Sequence, residues 1–218
     1  MRLLIINPNT SVATNARINA IVGPLVAVPH EVEVVSAASN IDFIETVEDS
    51  AATVPAVLAL VEARHRDVDA IIIAAFSDPG LTEARRIASC PVFGISEAAM
   101  TIAARTADRF AIVTLGAALG EAIQQNAETY GFVDRLTGIK ILPWTVAQVS
   151  ADLPAHQKAF AEACNRVVAE DGIGAVIIGG GPLSGIADAI ADDLTVPVLD
   201  GVRCAVQLAL NPEWGKPE

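Results

Sequence analysis

Residues 70–84 read AIIIAAFSDPGLTEA, and residues 175–189 read AVIIGGGPLSGIADA. Each is a strand-length run of Ala, Val and Ile that stops at small residues, turns on Pro and Gly, and enters a helix-like segment. With Ala70 set on Ala175, Ala75 falls on Gly180 and Gly80 on Gly185. Each stretch is followed by a Pro-Val run, CPVFGI at 90–95 and VPVLDGV at 196–202. The echo at a nearly constant offset argues for duplication rather than chance likeness of two βαβ units.

Outward from these runs the same alternation continues. RLLIINPN from Arg2, a helix-like stretch from Thr10, EVEVVSA from Glu31, a helical stretch near 51–66 and DAIIIAAF from Asp69 follow one another. RFAIVTLG at 109–116 begins as the N-terminal run does and feeds another helix-like segment. Apolar strands alternating with amphipathic helices are the pattern of β-α units around parallel sheets. The expected fold is α/β, with two similar parallel-sheet lobes related by a pseudo-twofold. The lobes are 1–100, completed by the C-terminal segment, and 101–218. Ligands of such sheets bind beyond the carboxyl ends of the strands, where helix N-termini point their N–H groups inward. Four loops occupy those ends: 7–11, 75–80, 114–117 and 180–185.

Composition narrows the function. The chain has 218 residues, 52% of them hydrophobic and only 4% aromatic, which suits buried parallel strands under Ala-rich helices. Its 14 basic and 26 acidic residues give a net charge of −12, which argues against a nucleic-acid partner. No apolar run reaches the roughly 18 to 20 residues that span a bilayer, and the N-terminus lacks a leader pattern, so the expectation is a cytoplasmic protein. Cys90, Cys164 and Cys204 have no metal-binding spacing and read as buried small hydrophobes. His30, His65 and His156 are scattered in stretches that read as loop or helix surface, and no metal site is expected.

NPNTS, 7–11, offers Asn7, Asn9, Thr10 and Ser11 at a helix start. Thr10 or Ser11 reads as the N-cap, while Asn9 and Thr10 are also suited to a carboxylate or amide ligand. In SDPG, 77–80, Asp78 reads as a cap opening the next helix, and Ser77 as the residue facing a ligand. GGGPLSG, 179–185, lets backbone N–H groups approach an oxyanion, but it lacks the Gly-Lys-Ser/Thr ending of a phosphate loop. Thr114, at a strand end, reads as a strand hydroxyl facing solvent or as a further pocket donor. Glu45 and Glu48 lie in a loop leading into a helix, read as acidic surface or as a flap over the site.

INPNTS, Ile44-Glu45, AFSDPGL, PVFGISEAA, GGGPLSG and PVLDGV, in this order, resemble the aspartate/glutamate/hydantoin racemase superfamily, in particular its hydantoin and allantoin racemase branch. The likeness runs through almost the whole chain. It implies a cofactor-independent homo-oligomer that racemises a carbon beside a carbonyl of a hydantoin, allantoin or amino-acid-like substrate. In that family two cysteines facing each other across the substrate move the proton. Here their positions hold Ala75 and Gly180, neither of which accepts a proton. The related arylmalonate decarboxylases keep only the second cysteine.

Three readings follow. In the first, a racemase-like isomerase has non-standard machinery. Ser77 or Asp78 supplies acid-base function, and a substrate site is formed by Asn7, Asn9, Thr10, Glu45, Ala75, Phe76, Ser77, Thr114, Gly180, Gly181 and Pro182. The second is a paralogue that binds such a ligand without turnover. The third is a decarboxylase or hydrolase on the same scaffold.

Overall fold

The computed structural model describes residues 1–211, without the side chains of Glu170 and Asp171. The expected second lobe's last stretch, 212–218, lies outside the described residues. In chain order the elements are β1 (Arg2–Asn7), α1 (Val12–Val22), β2 (Glu31–Ser36), α2 (Val47–Arg64), β3 (Ala70–Ile73), α3 (Leu81–Ile87), β4 (Val92–Gly94) and α4 (Ile95–Thr106). The second half carries β5 (Phe110–Thr114), α5 (Gly120–Thr129), β6 (Leu136–Ile141), α6 (Val146–Ala151), α7 (Leu153–Asp171), β7 (Ala175–Gly179), α8 (Ile186–Ile190), β8 (Val198–Asp200) and α9 (Gly201–Leu210).

The strands form two four-stranded sheets, ordered β2-β1-β3-β4 and β6-β5-β7-β8, and every pairing is parallel. Second-half strands follow first-half order element for element, as a duplication requires. The central strands β3, β5 and β7 are buried at every residue, which is why their sequences are unbroken apolar runs.

Helices α4 and α9 join the lobes. They pack on each other, α4 also touches β7 and β8, and α9 touches β3 and β4. Ile72, Phe76, Ile112 and Ile177, two from each half, accordingly belong to one continuous core. The division expected at residue 100 lies inside α4.

Local signals place the ends. Ser11 caps α1, its hydroxyl accepting from the Thr14 amide at 3.2 Å. Thr46 and Asp49 form a reciprocal capping box that starts α2. His65 is not surface but 6% exposed, closing α2, with Nδ1 accepting from the Ser89 amide at 3.0 Å. Asp78 caps a helix, but it is α4 rather than α3. Asp78 sits at φ +47° in the left-handed region, so its side chain turns back toward Gly94 and takes the Ser96 and Glu97 amides at 3.1 and 2.9 Å.

Candidate active site

The carboxyl ends of β3 and β7 meet at the floor of a cleft. A Cβ placed on Gly181 would lie 2.6 Å from the Ala74 carbonyl oxygen, and one placed on Gly179 would lie 2.8 Å from the Phe76 ring. In the repeat, Ala74 corresponds to Gly179 and Phe76 to Gly181. The two contacts are therefore mates of one another across a pseudo-twofold, the pattern of a self-complementary interface. Ala75 and Gly180 lie between them, one on each side.

This close approach has a consequence that can be tested. Backbone oxygen cannot step aside as a side chain can, so Gly181→Ala is expected to cost about 1–3 kcal/mol by overpacking. Gly179→Ala, which meets only a ring able to shift, should cost less. Urea melts of the two variants check the ranking, and equal midpoints would refute it.

The cleft is open to solvent, with about 510 Å³ of space between its lining atoms once the open mouth is included. All four strand-end loops contribute: Asn9 from the first, Ala74 to Ser77 from the second, Thr114 and Leu115 from the third, and Gly179 to Leu183 from the fourth. Ile44, Leu119, Ile123 and Val146 complete an apolar wall. Asn9, Ser77 and Thr114 supply the polar side chains, and none of the lining residues is ionisable.

Each polar group is oriented by its partners. Asn7, fully buried, donates from Nδ2 to Asn9 Oδ1 at 2.9 Å and to Asn15 Oδ1 at 2.8 Å. Asn9 Oδ1 also accepts from the Ser11 amide at 2.9 Å. With its oxygen used twice, Asn9 presents Nδ2 as its free donor. Thr114 donates its hydroxyl hydrogen to the Gly179 carbonyl at 2.6 Å, so it offers the cleft only lone pairs. Ser77 Oγ lies 2.7 Å from Ser50 Oγ in the first turn of α2, and Asn126 Nδ2 donates to the Ser77 carbonyl at 3.2 Å. In the fourth loop the Leu183 and Ser184 amides close the turn onto Gly180 and Gly181 carbonyls, leaving the Gly180 and Gly181 amides outside that turn.

The structure thus brings together Asn9, Ala75, Phe76, Ser77, Thr114, Gly180, Gly181 and Pro182. It places four expected residues elsewhere. Asn7 stands behind Asn9 and fixes it. Thr10 donates to Asp42 Oδ1 at 2.5 Å and pins the following loop, its amide reaching the Ile41 carbonyl. The Glu45 carboxylate accepts from the Ala147 amide at 3.3 Å, tying this loop to α6 of the other lobe, so that Ile44 rather than Glu45 enters the cleft.

Asp78 is the largest departure. Its carboxylate is buried behind the loop, takes the two α4 amides and accepts from the Tyr130 hydroxyl at 3.0 Å. Burial raises its pKa to about 7 despite those three hydrogen bonds, and it also holds the Tyr130 phenol above its ordinary value. Its side chain is therefore not among those lining the cleft.

Sequence reasoning missed Ser50, Asn126 and the apolar wall, since nothing marks a lone Ile44 or Val146 as cleft-facing before α2, α5 and α6 are placed. Among the described residues no group of three or more His, Cys, Asp or Glu is placed to hold a metal ion, and no helix is long and apolar enough to cross a membrane. Cys164 and Cys204 are buried in the core, with burial raising both thiols, Cys164 to about 12.

Two duplicated parallel α/β lobes with a ligand cleft on their pseudo-twofold, rimmed by paired strand-end loops, define a class of small-molecule enzymes and binders. The chain belongs to the Asp/Glu/hydantoin racemase family, whose model matches residues 3–209. It is 30% identical over 210 residues to a hydantoin racemase of Pseudomonas sp. (strain NS671), covering 96% of this chain and 84% of that one. It is 31% identical over 213 residues to a hydantoin racemase of Rhizobium meliloti, covering 96% and 87%. Among solved structures, the allantoin racemase from Klebsiella pneumoniae superposes with a TM-score of 0.92 at 33% identity, covering 100% of this chain and 94% of that one.

Proposed function

We propose that the chain is a racemase of hydantoin-type cyclic ureides, working by proton transfer at the ring carbon next to the carbonyl, with an apolar substituent on that carbon. The observation that carries this reading is a cleft whose lining includes no ionisable side chain yet presents amide donors beside an apolar wall. Free aspartate or glutamate would bring its charges into this lining without a counter-charge, a costly burial. A hydantoin is neutral, and its carbonyls match the Asn9 Nδ2 donor and the Gly180 and Gly181 amides.

Removing the ring C5 proton moves its electron pair onto the C4 carbonyl oxygen. The Asn9 Nδ2 and Gly180 and Gly181 amide donors are assigned to stabilise the charge that develops on that oxygen. Ser77, which lines the cleft, is assigned the exchange of a proton with the carbon. Asp78 acts at a distance by holding the loop that carries Ser77. We also propose a cytoplasmic homo-oligomer, as the family resemblance suggests, which light scattering coupled to gel filtration tests.

Proton exchange in D2O, followed by NMR and chiral chromatography, is the direct test. 5-Isobutylhydantoin is expected to exchange its C5 proton about tenfold or more faster than allantoin, whose polar ureido arm would lie unpaired on the apolar wall. Aspartate and glutamate should not exchange. Faster exchange of allantoin would refute the assigned substituent. The lack of an ionisable lining residue also supports a second reading, a protein that binds without turnover. Thermal stabilisation by 5-isobutylhydantoin with no exchange would establish it.

A further inference from the structure

The two faces of the cleft have lost their equivalence. In the duplicated loops Ser77 corresponds to Pro182, and Ala75 to Gly180. One face therefore carries a hydroxyl with an exchangeable hydrogen, and its mate carries a ring with none. The other polar lining groups do not restore the balance. The single hydroxyl hydrogen of Thr114 is committed to the Gly179 carbonyl, and the Asn9 amide is a hydrogen-bond donor, not a proton-transfer group at neutral pH.

From this asymmetry, and resting on the racemase reading above, we infer that proton transfer is one-sided: Ser77 serves the Ala75 face, and solvent water serves the Gly180 face. Ser77 Oγ is 2.7 Å from Ser50 Oγ, and either can donate. As Ser77 passes its hydrogen to carbon, the Ser50 hydroxyl can turn to donate to Ser77, and the reverse transfer retraces the path. The N-terminal turn of α2, where Ser50 sits, favours negative charge on these oxygens. On the Ser77 face the C–H bond breaks, its electron pair moves to the carbonyl oxygen, the proton moves to Ser77 Oγ, and the original Ser77 hydroxyl hydrogen passes, directly or through Ser50, to a solvent hydroxide that becomes water. On the opposite face a water molecule gives the proton and leaves as hydroxide, or in the reverse step hydroxide takes it and leaves as water.

Microscopic reversibility turns this into a distinctive signature. The enantiomer whose hydrogen faces Ser77 loses and regains it many times before water on the far side completes an inversion. In D2O it should take up deuterium several-fold faster than it inverts. The other enantiomer can lose its proton only to the far-side water and is then captured by Ser77, so each exchange accompanies one inversion and the ratio is near one. Matched carriers on the two faces would give the same ratio from either direction.

The experiment follows each enantiomer of 5-isobutylhydantoin separately in D2O, with C5–H loss read by NMR and inversion read by chiral chromatography. Unequal exchange-to-inversion ratios are the expected result, and Ser77→Ala should cut exchange in the faster enantiomer about 10²-fold or more and slow inversion from both sides, so that the other enantiomer's remaining exchange no longer accompanies inversion. Ser77→Cys, which restores an exchangeable hydrogen, should bring back both the faster enantiomer's exchange and the other enantiomer's near-one ratio, a recovery that a merely structural role for Ser77 would not predict. Equal ratios in the parent protein overturn the inference, as does unchanged exchange in Ser77→Ala. Absence of exchange from both enantiomers overturns the racemase reading itself, and the inference with it.

Discussion

Ala75→Cys is expected to raise C5 proton exchange of 5-isobutylhydantoin by about 10²- to 10⁴-fold, the usual worth of a positioned acid-base group. Gly180→Cys is expected to raise nothing and to lower stability by about 1–3 kcal/mol. The difference lies in the backbone, not in space. Ala75 sits at the end of β3 without a positive φ and lines the cleft, so a thiol there projects where a proton carrier is wanted. A free thiol titrates near 8.5, close enough to neutrality to supply thiolate. Gly180 has room, its nearest neighbour to a built Cβ being Leu183 at 3.6 Å, but its φ of +132° is one that L side chains rarely adopt. One face thus lacks only a reactive side chain, while the other also lacks a backbone compatible with one. Because the new thiol joins the Ser77 face, the gain should appear chiefly as exchange with retention, with inversion lagging. Exchange rates and urea melts of both variants check this. An Ala75→Cys protein no faster than the parent, or a Gly180→Cys protein equally stable, would defeat the argument.

The duplication was legible because buried parallel strands must be continuous apolar runs, so β3 and β7 announce themselves as IIIAA and VIIGG. β6 was not legible. Its LTGIKI sequence mixes Gly, Thr and Lys, since an edge strand is only partly covered and every residue but exposed Lys140 is intermediate. Loop ends were readable as a site because strand polarity fixes where the carboxyl ends go. Which side chain of a loop enters the cleft was not readable, since that depends on single φ values. Ser77 and Asp78 are neighbours in sequence, yet the left-handed turn at Asp78 sends one toward the cleft and the other to α4. His65 was misread for a related reason: a polar residue at a helix end looks like surface until Ser89 is found against it.

Asp78 and Asp200 show how the two halves solved one problem from opposite ends, and the solution is open to exchange. With Pro91 set on Pro197, Gly94 falls on Asp200. Asp200 ends β8, caps α9 through the Arg203 amide at 3.0 Å, and reaches back to the Gly185 amide at 3.2 Å. In the first half the strand-end residue is Gly94, and a Cβ there would lie 2.3 Å from Asp78 Cγ. One buried carboxylate thus sits at the start of each bridging helix, supplied by the strand in one lobe and by the loop in the other. Asp78→Gly tolerates the positive φ but leaves the Ser96 and Glu97 amides and the Tyr130 hydroxyl without their acceptor. At about 1–3 kcal/mol for a buried group left unpaired, the loss should be roughly 3 kcal/mol or more. The pH dependence has a definite sign. The folded-state pKa near 7 lies above the ordinary carboxyl value of 3.8, because burial disfavours the charge. The stability this shift contributes is fully present below about pH 4, fades as pH rises through 7, and is absent above it. Asp78→Gly should therefore be more destabilising at pH 5 than at pH 8, by on the order of 2 kcal/mol. Gly94→Asp alone should also destabilise, since two side chains would claim one space. The double variant places an aspartate at the N-cap of α4, as Asp200 stands at α9, and is expected to recover most of the loss. Urea melts of the four proteins form a double-mutant cycle, and a coupling energy near zero would show that the two carboxylates are not equivalent devices.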